Sequence, residues 1–217
     1  TPAPTSIELQ KLGDTNNDGE INIQDLSYLL SHWNKNDAPI ADFNNDSRND
    51  LALIGSSVGL QIYLNAGNGQ FMLTDQDATG IAPYNIARAD LNSDGYVDLA
   101  VSNYYSSSVS VYHNTGLGSF DEVQRPSAGQ IPDGIVIANL NEDEFLDVAV
   151  TNRFTELVTV LYGSGYGWFG PYMDTCRATG MCRAITAADL DGDGDNDLAL
   201  ANETVYGITL LLNAGWP

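Results

Sequence analysis

The stretch "ADLDGDGDND", residues 188 to 197, places five aspartates in nine residues at strict alternation, beginning at Asp189. Carboxylates held that close repel one another, so a folded chain should avoid the arrangement unless something offsets the charge. Three other segments have the same form: "ADFNNDSRNDLAL" from Ala41, "ADLNSDGYVDLAV" from Ala89 and "ANLNEDEFLDVAV" from Ala138. Their loops open at Asp42, Asp90, Asn139 and Asp189, a period of 48 to 50 residues. Four copies at near-equal spacing mark a repeat architecture.

The repetition extends beyond the loops. Ile86, Ile135 and Ile185 each stand four residues before a loop, and Pro83 and Pro132 precede two of them by three more. Downstream, "LQIYLNAGNGQF", "VSVYHNTGLGSF", "VTVLYGSGYGWF" and "ITLLLNAGWP" alternate apolar residues and then reach an Asn/Gly-rich turn. Alternation with Val, Ile, Tyr and Leu reads as strand, and the Gly-rich tail as a tight turn. Each unit therefore holds about three to four short strands, the content of one β-propeller blade. One blade alone leaves its faces bare, so such units must stack. The expected fold is mostly β, with four propeller-type blades near 38–82, 83–131, 132–181 and 182–217.

Loop positions 1, 3, 5 and 9 carry oxygen side chains. They are Asp42, Asn44, Asp46 and Asp50; Asp90, Asn92, Asp94 and Asp98; Asn139, Asn141, Asp143 and Asp147; Asp189, Asp191, Asp193 and Asp197. A backbone carbonyl near position 7 (Arg48, Tyr96, Phe145 or Asp195) completes each set. A hard divalent cation takes six to eight oxygens, and calcium tolerates this flexible geometry better than magnesium. Soft-metal ligands are absent from all four loops. Asp, Asn and Gly also make ordinary turns, but four in register with flanking strands favour metal loops. The third is expected to bind most weakly, because it opens with Asn139 and has Glu144 where two others have Gly95 and Gly194. The first, with Ser47 there, departs less.

A fifth, different loop lies in "DTNNDGEINIQDLSYLLSHW". Asp14, Asn16, Asp18 and the carbonyl of Glu20 lead to Asp25 at position 12. Leu26, Leu29, Leu30 and Trp33 then recur at helical spacing. This is loop-then-helix calcium chemistry, and the expectation is about four to five calcium sites in all.

Composition limits the partners. Acids outnumber bases 29 to 8 for a net charge of −21, which opposes binding to nucleic acid or to an anionic membrane surface. Most of those acids lie inside the loops. No apolar run approaches a bilayer span. Cys176 and Cys182, in "CRATGMC", lack zinc spacing and read as a small local disulfide, which suits an oxidising, extracellular compartment. "NET" at Asn202 and "NDS" at Asn45 match the glycosylation pattern. Asn45, inside a metal loop, is the poorer candidate.

The repeats resemble the FG-GAP/VCBS family, calcium-loop blades found in integrin α-chain propellers and in many secreted microbial proteins, over roughly Ile40 to Pro217. Residues 13 to 37 resemble one half of a type I dockerin, its second half replaced by the first blade. The resemblance implies an extracellular protein, and blades of this family are usually assembled in sevens. Four blades leave a small ring, an open fragment or an assembly of subunits. The arm at residues 1 to 12 is a candidate strand that either closes its own ring or, the reading preferred by a small margin, adds to a neighbouring copy's last blade.

No catalytic constellation emerges. His32 and His113 are the only histidines, and calcium-bound carboxylates are held in the wrong state for a general acid. The expected function is non-enzymatic: a calcium-stabilised structural or adhesion protein that self-associates or binds another surface protein. The alternative is a lectin-like propeller, with Tyr104, Tyr105, Trp168, Tyr172 and Trp216 as stacking surfaces for sugars. Aromatics that fill space between blades explain the same residues.

Overall fold

The computed structural model describes residues 39–178, 180–204 and 207–213, without side-chain detail at 171–174. The expected dockerin-like loop and helix, with Asp14, Asn16, Asp18, Glu20, Asp25 and His32, lie outside the described residues. Among those that are described, every regular element is a strand.

Four antiparallel sheets follow one another along the chain. Sheet one holds β1 (Ile40–Ala41), β2 (Asp50–Gly55), β3 (Gly59–Gly67) and β4 (Gln70–Asp77). Sheet two holds β5 (Pro83–Ala89), β6 (Asp98–Asn103), β7 (Ser108–Asn114) and β8 (Phe120–Gln124). Sheet three holds β9 (Pro132–Ala138), β10 (Asp147–Asn152), β11 (Leu157–Gly163) and β12 (Phe169–Arg177). Sheet four holds β13 (Cys182–Ala188), β14 (Asp197–Asn202) and β15 (Gly207–Leu211). Each is an up-and-down meander in chain order, as short loops between alternating segments require. Register repeats with the sequence: Ala52 pairs with Ile62, Ala100 with Val111, Ala149 with Val160 and Ala199 with Leu210.

The sheets stack through their faces. β9 lies against both β5 and β13, and β4 meets β8. Three hydrophobic clusters fill the three junctions. In the first, Phe43, Ala52, Leu60, Ile62 and Leu64 of sheet one meet Ile86, Leu99, Val101, Tyr112 and Phe120 of sheet two. Phe43 and Phe120 pack edge to face with centroids 5.3 Å apart. In the second, Leu91, Ala100, Val109 and Val111 meet Ile135, Val148, Val150, Leu161 and Phe169. In the third, Leu140, Ala149, Val158 and Val160 meet Ile185, Leu198, Leu200 and Leu211. Equivalent positions recur, so each sheet has a forward face and a receiving face.

The turn glycines fit this stacking. A Cβ on Gly118 would come within 2.7 Å of Leu64 in the preceding sheet, and one on Gly167 would run into His113. Only glycine lets the turn of one sheet reach the forward face of the last. His113 is thereby placed as a packing residue between sheets.

Of the two cysteines, Cys176 and Cys182, the second donates from its Sγ to Asn202 Oδ1 at 2.8 Å. Close in sequence, they fall on different sheets, on the last strand of the third and the first strand of the fourth. The Asn202 amide is also engaged, with Nδ2 donating to Thr209 Oγ1 at 2.9 Å. Asn45 is exposed at φ 60°.

Candidate metal centre

The four loops join the first and second strands of each sheet, all at the same end. Position 9 is fixed the same way every time. Asp50 Oδ2 accepts from Phe43 N and Oδ1 from Asn65 N, both at 2.8 Å. Asp98 accepts from Leu91 N at 3.0 Å and Asn114 N at 2.8 Å. Asp147 accepts from Leu140 N and Gly163 N, and Asp197 from Leu190 N and Asn213 N. All four aspartates are fully buried. Each ties the start of its loop to the end of the third strand, a role that the alternation of acids did not reveal.

Position 1 organises the loop interior. Asp42 accepts from Asp46 N at 3.0 Å and Ser47 N at 2.7 Å; Asp90 accepts from Asp94 N at 3.2 Å and Gly95 N at 2.9 Å. Asp189 accepts from Gly192 N and Gly194 N. Presenting the position-6 N–H this way goes with a left-handed backbone, and Ser47, Gly95 and Gly194 adopt φ of 67°, 89° and 104°. Glu144 stays out of that region. Asn139 receives only the N–H of Asn141, at 3.3 Å. The third loop is thus wound differently where its sequence departs, with glutamate in place of the serine or glycine of the other loops.

Position 3 is Asn in the first three loops, where Asn44, Asn92 and Asn141 donate to Asp46, Asp94 and Asp143 at 2.9 Å. In the fourth loop it is Asp191. There Asp189, Asp191 and Asp197 bring one carboxylate oxygen each within 4.8 Å of one another. Arg48 departs from the plan, since its guanidinium pairs with Asp46. At position 7, the rings of Tyr96 and Phe145 lie over Gly116 and Gly165 and so turn toward the neighbouring turn.

The position-9 carboxylates do not titrate alike. Burial pushes the Asp98 and Asp147 carboxyls up to about 6, outweighing the lowering effect of their backbone donors. Asp50 is raised by burial as well. Asp197 is held below the usual range by the backbone donors Asn213 and Leu190. Asp195 is raised chiefly by desolvation and by Glu142 of the adjacent loop. An oxygen-only donor set around buried, uncompensated carboxylates suits a hard divalent cation.

Two candidate sugar-stacking residues meet: Tyr104 and Tyr105 pack edge to face at 5.0 Å, with Tyr105 71% exposed. Trp168 is exposed at the opposite end of the sheets, beside the metal loops. Trp216 and the Tyr172 side chain lie outside the described residues.

Comparison with known proteins agrees with the repeat geometry. The FG-GAP-like repeat matches residues 42–101 and 90–150. No curated protein matches the chain. Among solved structures, BBS1N in complex with ARL6DN, soaked with lead, is 11% identical over 82% of this chain, with a TM-score of 0.55. The mercury-soaked form of that complex gives 11%, 82% and 0.54. This chain spans only 56% and 53% of those two chains, and the likeness is one of fold, a propeller-like stack of antiparallel sheets. By its two overlapping repeat matches, which together reach across half of its length, the chain belongs to the FG-GAP-like repeat family.

Proposed function

We propose that this protein is a non-enzymatic, calcium-stabilised extracellular module, used in adhesion or as a subunit of a surface assembly. The observation that carries the reading is the fourfold loop, whose position-9 carboxylate is buried and ties loop to sheet in every copy. The residues that would hold calcium are those at positions 1, 3, 5 and 9, with the position-7 carbonyls of Arg48, Tyr96, Phe145 and Asp195. Bound there, the cation supplies the positive charge that these carboxylates lack and braces the stacked sheets. The chain's acidity, concentrated in loops, then serves metal binding more than solubility. Removing calcium while following thermal unfolding tests the reading.

Acid gives a second check. In chelator, the Asp98 and Asp147 carboxyls titrate near 6 when folded but near 3.9 when unfolded. A raised folded pKa contributes stability that is complete below about pH 4 and is lost as pH rises through about 6. Metal-free protein should therefore melt a few degrees higher at pH 5 than at pH 7. With calcium the trend should reverse, because protons then compete with the metal. An Asp98→Asn, Asp147→Asn double variant should flatten the chelator profile.

The third loop should be the weakest site. Forcing a residue with a Cβ into the left-handed region costs ~1–2 kcal/mol, so Glu144→Gly should tighten that site by roughly tenfold. Calorimetric titration of wild type and variant reads this directly.

Sugar binding is a second reading, favoured by the exposed Tyr105 against Tyr104. Glycan-array binding that is lost on Tyr105→Ala would support it.

A further inference from the structure

The forward face of sheet four continues a series of three internal joints and has no described sheet upon it. Its residues match those that each earlier sheet buries. Ile208 and Leu210 correspond to Val158 and Val160, which are 0% and 4% exposed, yet they are 73% and 54% exposed. Leu190 stands where Phe43, Leu91 and Leu140 stand, and is 44% exposed against 1%, 3% and 8%. Leu212 corresponds to Leu64 and His113, the residues that cover Gly118 and Gly167, and is 55% exposed.

The first sheet carries the other half of this joint. In sheets two to four, groups after the third strand grip the carbonyl at loop position 2 of the preceding sheet. Asn114 Nδ2 and Gly118 N donate to Phe43 O at 3.1 Å, Gly167 N to Leu91 O at 3.0 Å, and Asn213 Nδ2 to Leu140 O at 3.1 Å. Sheet one has the same turn, "NAGNGQF" from Asn65 to Phe71. Among the described residues, nothing lies within 4 Å of where a Cβ on Gly69 would be, in contrast to its equivalents Gly118 and Gly167. Leu73, across from Tyr63 on the receiving side, is 39% exposed. Leu51 and Tyr63, deeper on that face, are already buried, which confines any joint to the turn and the outer strand.

We infer that the forward face of sheet four docks the Asn65–Phe71 turn and outer strand of a second copy of this chain, head to tail. The inference rests on the proposed assembly role and specifies a face-to-turn joint instead of a donated strand. Leu212 of one copy covers Gly69 of the next, and Leu190 O accepts from that turn. Such a contact uses different surfaces on the two partners, so it propagates into chains unless it closes. A contiguous apolar face of this kind is also what a folded chain usually keeps covered.

The test is sedimentation velocity on the full chain in calcium, across a concentration series. Wild type should form concentration-dependent multimers. Leu212→Asp and Gly69→Asn each remove one half of the joint; Asn tolerates the φ of +77° at Gly69, and both sites are open, so melting should be unchanged. Each variant alone should lose self-association by at least tenfold. Mixed, they should form heterodimers and nothing longer, since each retains the half that the other lacks. Wild type that stays a 23.3 kDa monomer at every concentration would overturn both the joint and the assembly reading. Multimers that persist in both variants would overturn the joint alone and leave assembly by another contact standing.

Discussion

Chelation should lower the melting temperature by about 20 °C, measured by calorimetry in 10 mM calcium and again in excess EDTA. The estimate follows from linkage. A ligand that binds only the folded state at a hundred times its Kd stabilises by about 2.7 kcal/mol per site. Extracellular calcium modules bind at ~10⁻⁴–10⁻³ M, so the three better loops together contribute about 8 kcal/mol at the tight end of that range. Each kcal/mol moves the midpoint of a domain this size by roughly 2–4 °C. The direction follows from the proposed binding: a cation held by the folded loops alone would offset Asp98 and Asp147, whose buried carboxyls are otherwise driven toward protonation. An equal melt with and without EDTA would remove calcium from the account of stability.

Asp98→Ala should cost about 3–5 kcal/mol even in chelator, since it strands two buried N–H donors at ~1–3 kcal/mol each. Those donors are Leu91 N and Asn114 N, and the aspartate is fully buried. Asp94→Ala is the contrast. Asp94 is exposed and its acceptor bonds stay within the loop, so its loss should matter in calcium and little in EDTA. Comparing the two variants under both conditions separates the peg role of position 9 from metal binding. If Asp98→Ala were silent in EDTA, the peg role would be wrong.

The repeats and the strand content could be read from spacing alone, because each is a local pattern repeated four times. What spacing could not show was where long-range donors arrive. The bonds to Asp50, Asp98, Asp147 and Asp197 come from residues 15 or 16 positions later, and only the folded meander brings them round. The recurring Asn before each turn glycine was a visible signal of the clamp between sheets, as was its loss at Gly163. Glu144 was informative at sequence level, since a left-handed loop position is a local demand that any reader of the repeat can check.

Those clamps bear on how the sites would fill. Asn114 donates its backbone N–H to Asp98 Oδ1 in loop two and its side chain to Phe43 O in loop one. Asn213 does the same for loops four and three, through Asp197 and Leu140. Between loops two and three the equivalent residue is Gly163, which has no side chain to reach back. Calcium entering loop one should therefore raise affinity in loop two, and loop three should speak to loop four, with a weaker link between the pairs, where the backbone bond from Gly167 N to Leu91 O remains. The binding isotherm would then show two cooperative couples, and Asn114→Gly would turn the first couple into independent sites.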